Sequence, residues 1–287
     1  MSAQAQIADR RFQRYEGKRL GVGYSFLRLV LHSIGWVLGL KRTSRYKIVP
    51  NLALVSVFVP ASGFVIGVAL SPPGTPPPPY YSFYYFTLPA IYIFVALTMP
   101  ELICPDRRHG TLRMYVTSNL NPAVYVAAKV LAAWSVLALV TVVPVIILLV
   151  TYSLLGHGPA SVGDWFKTPA QILGAGLVLA IFYGTIALAI SSLTDRNSFA
   201  SAGIILTFVL SGAALGILQG PLKAPAWVLL VNMNQLPAEF VARIYQLNDF
   251  GMGAAKVPTW EVAAAAAAWV LVGLAVLAYR YRGEGRK

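Results

Sequence analysis

The sequence predicts an all-α integral membrane protein. It has six transmembrane helices, an N-terminal interfacial amphipathic helix, a short cytoplasmic amphipathic helix between the second and third spans, and both termini in the cytoplasm. Three observations predict it. The 287 residues are 57% hydrophobic and only 11% charged, with a mean hydropathy of +0.66, well beyond an ordinary soluble domain. Six apolar runs each supply the roughly 20 helical residues that cross a hydrocarbon core of about 30 Å. Of 23 basic residues, nineteen fall in residues 1–47, 104–129, 193–197 and 279–287, the alternate connections and ends that the positive-inside bias assigns to the cytoplasm.

Residues 1–47 form a basic N-terminal segment that contains a helix at about 24–40. There Ser25, Arg28 and His32 recur on one face, while Leu27, Val30, Leu31, Ile34, Val37 and Leu38 occupy the other. Such a helix lies in the headgroup plane, with Arg28, His32 and Trp36 as its candidate functional residues. Treating it as a span would put Arg10, Arg11, Arg14, Lys18 and Arg19 outside, against the charge rule. The basic stretch is long and no short apolar core with a cleavage site follows it, so no signal peptide is expected.

The spans are placed at 48–70, 83–103, 123–155, 169–192, 197–220 and 258–281, within a transmembrane domain of 48–281 followed by a basic tail, 282–287. Between the first two lies "SPPGTPPPPYYS", a stiff polyproline spacer. The outer connection 221–257 carries two semi-apolar pieces, "AWVLLVNM" and "PAEFVARIYQL". Both are too short to span, so they read as interfacial or re-entrant helices. Pro60, Pro89 and Pro144 fall inside spans, where proline kinks a helix or frees a carbonyl. Gly63 and Gly67, and Gly212, Gly216 and Gly220, repeat at four-residue spacing. Such spacing lets helices pack closely, within one chain or between subunits.

Composition and motif inventory exclude several classes. The net charge of +13 follows the topology rule rather than forming a nucleic-acid footprint. One cysteine, Cys104, leaves no disulfide partner and no metal-site spacing, and no metal site is expected. The histidines, at positions 32, 109 and 157, form no nucleophile–base or metal motif within a span, so no catalytic residue is assigned. No phosphate loop is present, and the chain is expected to bind no cofactor itself. The central turns of all six spans lack ionisable residues, which a gradient-driven transporter would use to carry its coupling ion.

Residues 104–115, "CPDRRHGTLRMY", interrupt this apolar chain with charge. Leu112, Tyr115, Val116 and Leu120 fall on one side of a helix at about 105–120. From chemistry alone this is either a docking element for a cytoplasmic protein or a surface helix whose arginines hold anionic lipid. The run Asp106, Arg107, Arg108, His109, Gly110, Thr111, Leu112, followed by Lys129, resembles the acidic-R-x-x-G-T-L and distal lysine pattern of ABC type 2 transporter permeases. Asp106 stands where that family commonly has glutamate, and Asn119 where proline is frequent.

The resemblance implies a bacterial plasma-membrane exporter subunit whose segment after span two is a coupling helix, seated with the interfacial helix on a separate ATPase subunit that binds ATP and Mg2+. It implies a coupling set of Asp106, Arg107, Arg108, Gly110, Thr111, Leu112, Arg113, Tyr115, Val116 and Lys129, with the arginines meeting acidic residues of the ATPase. It also implies a second copy of the chain or a related permease, and a pathway along spans one, two and five. The polar and aromatic candidates there are Ser56, Ser62, Tyr92, Thr98, Thr207 and Ser211. The expected partners are therefore the ATPase, a second permease and the lipid bilayer, with no nucleic acid. The apolar spans favour an amphipathic or hydrophobic cargo. Alternatives are a non-transporting scaffold or sensor, and a gradient-driven transporter.

Overall fold

A computed structural model describes residues 21–40, 48–72, 74–110, 121–219, 222, 225–247 and 257–282, and these are helical or irregular with no strand among them. The helices are α1 (Val22–Val37), α2 (Ile48–Ala69), α3 (Tyr80–Thr98), α4 (Pro100–Arg108), α5 (Pro122–Leu154), α6 (Val162–Ser191), α7 (Asn197–Gln219), α8 (Leu236–Ile244) and α9 (Thr259–Arg282), with a 3-10 turn at Ala226–Val231 before α8. Among the described residues, five helices are long and apolar enough to cross a membrane: Tyr80–Arg108, Pro122–Leu154, Val162–Ser191, Asn197–Leu218 and Thr259–Arg282. The sequence predicts six. Helix α2 is 22 residues long, and among its described side chains Leu54–Ala69 forms a shorter apolar stretch.

Two boundaries move from their predicted places. The helix expected to begin at 169 begins at Val162, because Ser161 caps it: its Oγ accepts from the Asp164 amide at 3.1 Å and donates to the Asp164 carboxylate at 2.8 Å. That reciprocal cap starts a helix ahead of its apolar stretch. The helix expected to end at 103 continues through α4 to Arg108, and residues 105–108, predicted to open the coupling helix, belong to its last turn. Pro100 does not stop the chain because it occupies a first-turn position, where no amide is needed.

Helix α6 is the centre of the bundle. Of its apolar stretch 72% is buried, against 17% for α7 and for α9. It lies against α5 so closely that a β-carbon on Gly176 would come within 2.4 Å of Val142 Cγ2, and against α9 so closely that one on Gly273 would meet Thr185 Cγ2 at 2.8 Å. Thr141 Oγ1 bridges the first contact, donating to the Gly176 carbonyl at 2.8 Å. Trp134 Nε1 donates across to Thr185 Oγ1 at 3.0 Å. These intrachain glycines were not singled out by spacing. Of those that were, Gly63, Gly67 and Gly216 have nothing within 4 Å of a β-carbon, and Gly212 is covered by Asn234 Nδ2 at 3.0 Å. Gly220 lies outside the described residues.

Helix α1 packs on α5 with Leu29, Val30, Ser33, Gly35 and Val37 buried. Leu27 and Leu31, predicted to share the apolar face with Val30, are instead more than half exposed. The helix therefore has one stripe toward the protein and a second apolar stripe pointing away. At the opposite end of the bundle α8 is sunk among α3, α6 and α9, with six of its nine residues buried. Tyr85 Oη donates to the Ala238 carbonyl, Gln171 Nε2 to that of Ile244, and Arg243, paired with Glu239 at 3.2 Å, reaches the Val257 carbonyl at 2.8 Å.

Candidate coupling site

One end of the bundle is basic. It gathers the end of α4, the start of α5, the turn between α6 and α7, and the end of α9, elements that carry Arg107, Arg108, Lys129, Arg196, Arg280 and Arg282. Here α4 is fastened on two sides. Toward α5, Lys129 Nζ meets Asp106 Oδ2 at 2.7 Å, with the lysine side chain 8% and the aspartate 19% exposed. Tyr125, one turn before Lys129, donates its hydroxyl to the same carboxylate oxygen at 2.7 Å and lies under the ammonium at 5.5 Å from its ring centre. A buried ammonium needs such company, since desolvation alone would expel it.

Toward α6 and α7, Arg107 Nε pairs with Asp195 Oδ1 at 3.0 Å, and Nη1 donates to the Ser192 carbonyl. A guanidinium at the end of α6 satisfies a terminal carbonyl and meets the negative pole of the helix. Cys104 is buried beside it, its thiol directed at the carbonyls of Ser191 and Thr194 at 3.6 and 3.5 Å. Arg107, expected to face an acidic residue on a partner, is thus spent within the chain, and its side chain is 9% exposed. Arg108 and His109 face outward, the His109 ring nitrogen lying 2.9 Å from the Pro105 carbonyl.

Gly110 closes α4 with φ at +66° and its amide on the Arg107 carbonyl at 3.2 Å. This left-handed residue after a helix is the position glycine fills at least cost. The remaining predicted residues, Thr111, Leu112, Arg113, Tyr115 and Val116, lie outside the described residues. Of the interfacial set, His32 stacks on Trp36 at 6.3 Å, and Arg28 lies over Tyr24, donating to its hydroxyl at 2.8 Å. His32 and Trp36 join Ser33, Glu101, Asp106, His109 and Lys129 around a cavity of about 250 Å³ between α1, α4 and α5. Among the described residues no group of His, Cys, Asp and Glu is arranged to hold a metal ion.

The pathway candidates separate into distinct environments. Thr98 is 2% exposed and donates to the Phe94 carbonyl. Ser62, Thr207 and Ser211 donate to Val59, Gly203 and Phe208 carbonyls on their own helices, the usual fate of a hydroxyl in an apolar helix. Ser56 is partly buried on α2. Tyr92 alone joins a larger constellation: its hydroxyl donates to Asn234 Oδ1 at 2.7 Å, and its ring packs with Tyr183 and Phe208. Asn234, which the sequence reading did not single out, also accepts from Tyr183 through its carbonyl at 2.9 Å. Tyr125 was legible as a one-turn neighbour of Lys129, whereas Asp195 and Ser192 carried no signal.

No curated protein matches the chain. Residues 49–279 match the family described as ABC-2 family transporter protein, a region that runs through α2 to α9 and holds the whole Asp106–Lys129 and Arg107–Asp195 arrangement. That span of residues makes this chain a membrane-embedded permease of the ABC-2 transporter family.

Proposed function

We propose that the chain is the transmembrane subunit of an ATP-driven exporter that moves an amphipathic or hydrophobic molecule out of the cell. A separate ATPase subunit binds ATP and Mg2+ and docks at the basic end of the bundle, which is the cytoplasmic end. Helix α2 serves as the sixth span: its length, roughly 33 Å at 1.5 Å per residue, matches the membrane core. A second permease completes the conduit along α2 and α7, where Val55, Val59, Ile66, Val209, Leu210 and Ile217 are each at least half exposed and so open to a partner helix as well as to lipid.

The observation that carries the reading is the pair of fastenings on α4. Asp106–Lys129 ties its end to α5, and Arg107 ties it to the α6–α7 turn. A push delivered just beyond Gly110 therefore reaches three spans as one body rather than bending a loop. Arg108, exposed at that point, offers the ATPase a charge. In this reading the permease supplies the conduit and the lever, while hydrolysis belongs to its partner.

The test is co-purification with an ABC ATPase subunit from the same genome, followed by ATP hydrolysis and vesicle transport for Arg108→Glu and Gly110→Pro. Both variants are expected to insert normally while losing ATPase stimulation and transport. Transport that survives ATP depletion and is abolished by an ionophore would overturn the proposal.

A further inference from the structure

Between α1, α5 and α9 runs a groove of about 570 Å³ whose walls are almost wholly carbon. Its floor follows α5 from Pro122 to Trp134, about 18 Å at 1.5 Å per residue, close to the roughly 15 Å of one leaflet of the core. Phe26 of α1 and Leu274 of α9 form its sides, and Arg282, in the last turn of α9 beside Arg280, stands at its mouth. The groove thus runs from Arg282 and Pro122 along α5 as far as Trp134. It belongs neither to the α4 fastenings nor to the bare α2 and α7 faces.

We infer that this groove holds one phospholipid of the leaflet at the basic end, an acyl chain lying on α5 between α1 and α9 and an acidic headgroup on Arg282. Water is a poor occupant of so apolar a space, which offers it almost no hydrogen-bond partners. The segment ahead of α1 carries Arg10, Arg11, Arg14, Lys18 and Arg19, charges that an apolar groove rejects. A chain with an anionic head fits both parts at once: methylenes against Val126, Ala127 and Leu131, and negative charge against the guanidinium. Its presence bridges α1 to α9 over the first turns of α5, the turns that carry Tyr125 and Lys129.

The inference rests on the membrane reading alone and not on ATP coupling. Its test is native mass spectrometry of the full chain in mild detergent, titrated with phosphatidylglycerol and with phosphatidylcholine of matched acyl chains. The wild-type chain is expected to retain one phosphatidylglycerol with about fivefold preference, the effect of one basic residue at a membrane surface. Ala127→Trp, which fills the groove from an exposed position, is expected to lose the retained lipid. Arg282→Ala is expected to keep a lipid without the headgroup preference. Equal retention of both lipids in all three proteins, or a second chain found in place of lipid, would overturn it. Should Ala127→Trp fail to give monodisperse protein, Arg282→Ala decides the question through the preference alone. Loss of the lipid result with ATPase stimulation intact would leave the proposed transport function standing.

Discussion

Replacing Asp106 with alanine is expected to cost more than replacing Lys129 with methionine, although both remove the same ion pair. At 2.7 Å the attraction is about 6 kcal/mol for an effective dielectric near 20, most of it offset by desolvation. Breaking a fully buried pair costs about 3–5 kcal/mol and breaking an exposed one about 0–1. With side-chain exposures of 8% and 19%, this pair falls between, at about 2–3 kcal/mol. The asymmetry comes from what remains. Without Asp106, the Tyr125 ring at 5.5 Å is the contact that remains to the more deeply buried ammonium among the described residues, and the Tyr125 hydroxyl loses its bond to the carboxylate. Without Lys129, the carboxylate is nearer solvent and still accepts from Tyr125. Reversible SDS unfolding in mixed micelles measures Asp106→Ala, Asp106→Asn and Lys129→Met, and the last two combined in one chain close a double-mutant cycle. A coupling energy of about 2 kcal/mol or more is expected, with the double variant close to wild type. Coupling below about 0.5 kcal/mol, or a Lys129→Met cost above that of Asp106→Ala, would refute the argument.

The same logic separates the other fastening into its parts: Arg107→Ala, which strips the Ser192 carbonyl of its donor, is expected to cost about 1–3 kcal/mol. Asp195→Asn, whose carboxylate is 60% exposed, should cost under about 1 kcal/mol in the same unfolding assay. At Gly110 the space around a β-carbon is open but φ is +66°, so Gly110→Val is expected to lose about 1–2 kcal/mol from backbone strain and Gly110→Asn markedly less, as read by thermal unfolding. Gly176→Val must push α5 and α6 apart and is expected to lower stability by about 1–3 kcal/mol. Gly63→Leu, with nothing within 4 Å, should leave the fold within about 0.5 kcal/mol yet abolish the proposed pairing of permeases, for which size-exclusion chromatography is the measurement.

Hydropathy located the five long helices, and most of their ends to within a few residues, because each must bury or shed an apolar surface over a fixed length. Its errors fall where another force sets the end. Ser161 and Asp164 begin α6 in a polar stretch through hydrogen bonds that hydropathy does not weigh. Met99 keeps helical dihedrals through the junction with Pro100, so α4 prolongs the second span instead of opening a new element. Glycine spacing identified faces where close approach is allowed but not what approaches. Gly176, Gly184, Gly203 and Gly273 each have a neighbouring helix within 3.2 Å of a β-carbon, and none of them pairs with another glycine at four-residue spacing; Gly176 and Gly184 are linked at that spacing only through Ala180.

The acidic residue and distal lysine were visible only through family resemblance, since nothing in spacing along a chain pairs residues 106 and 129. Geometry adds a physical role for both: their pairing fixes the end of α4 to α5. Arg107 does the same toward α6 and α7, using a carbonyl that helix termination had left exposed. Adjacent residues on one short helix thus face opposite neighbours, and cutting either fastening leaves the other as a hinge. Loss of both should therefore impair mechanical transmission far more than the sum of the single losses, while the two stability costs, at sites with different partners, should add.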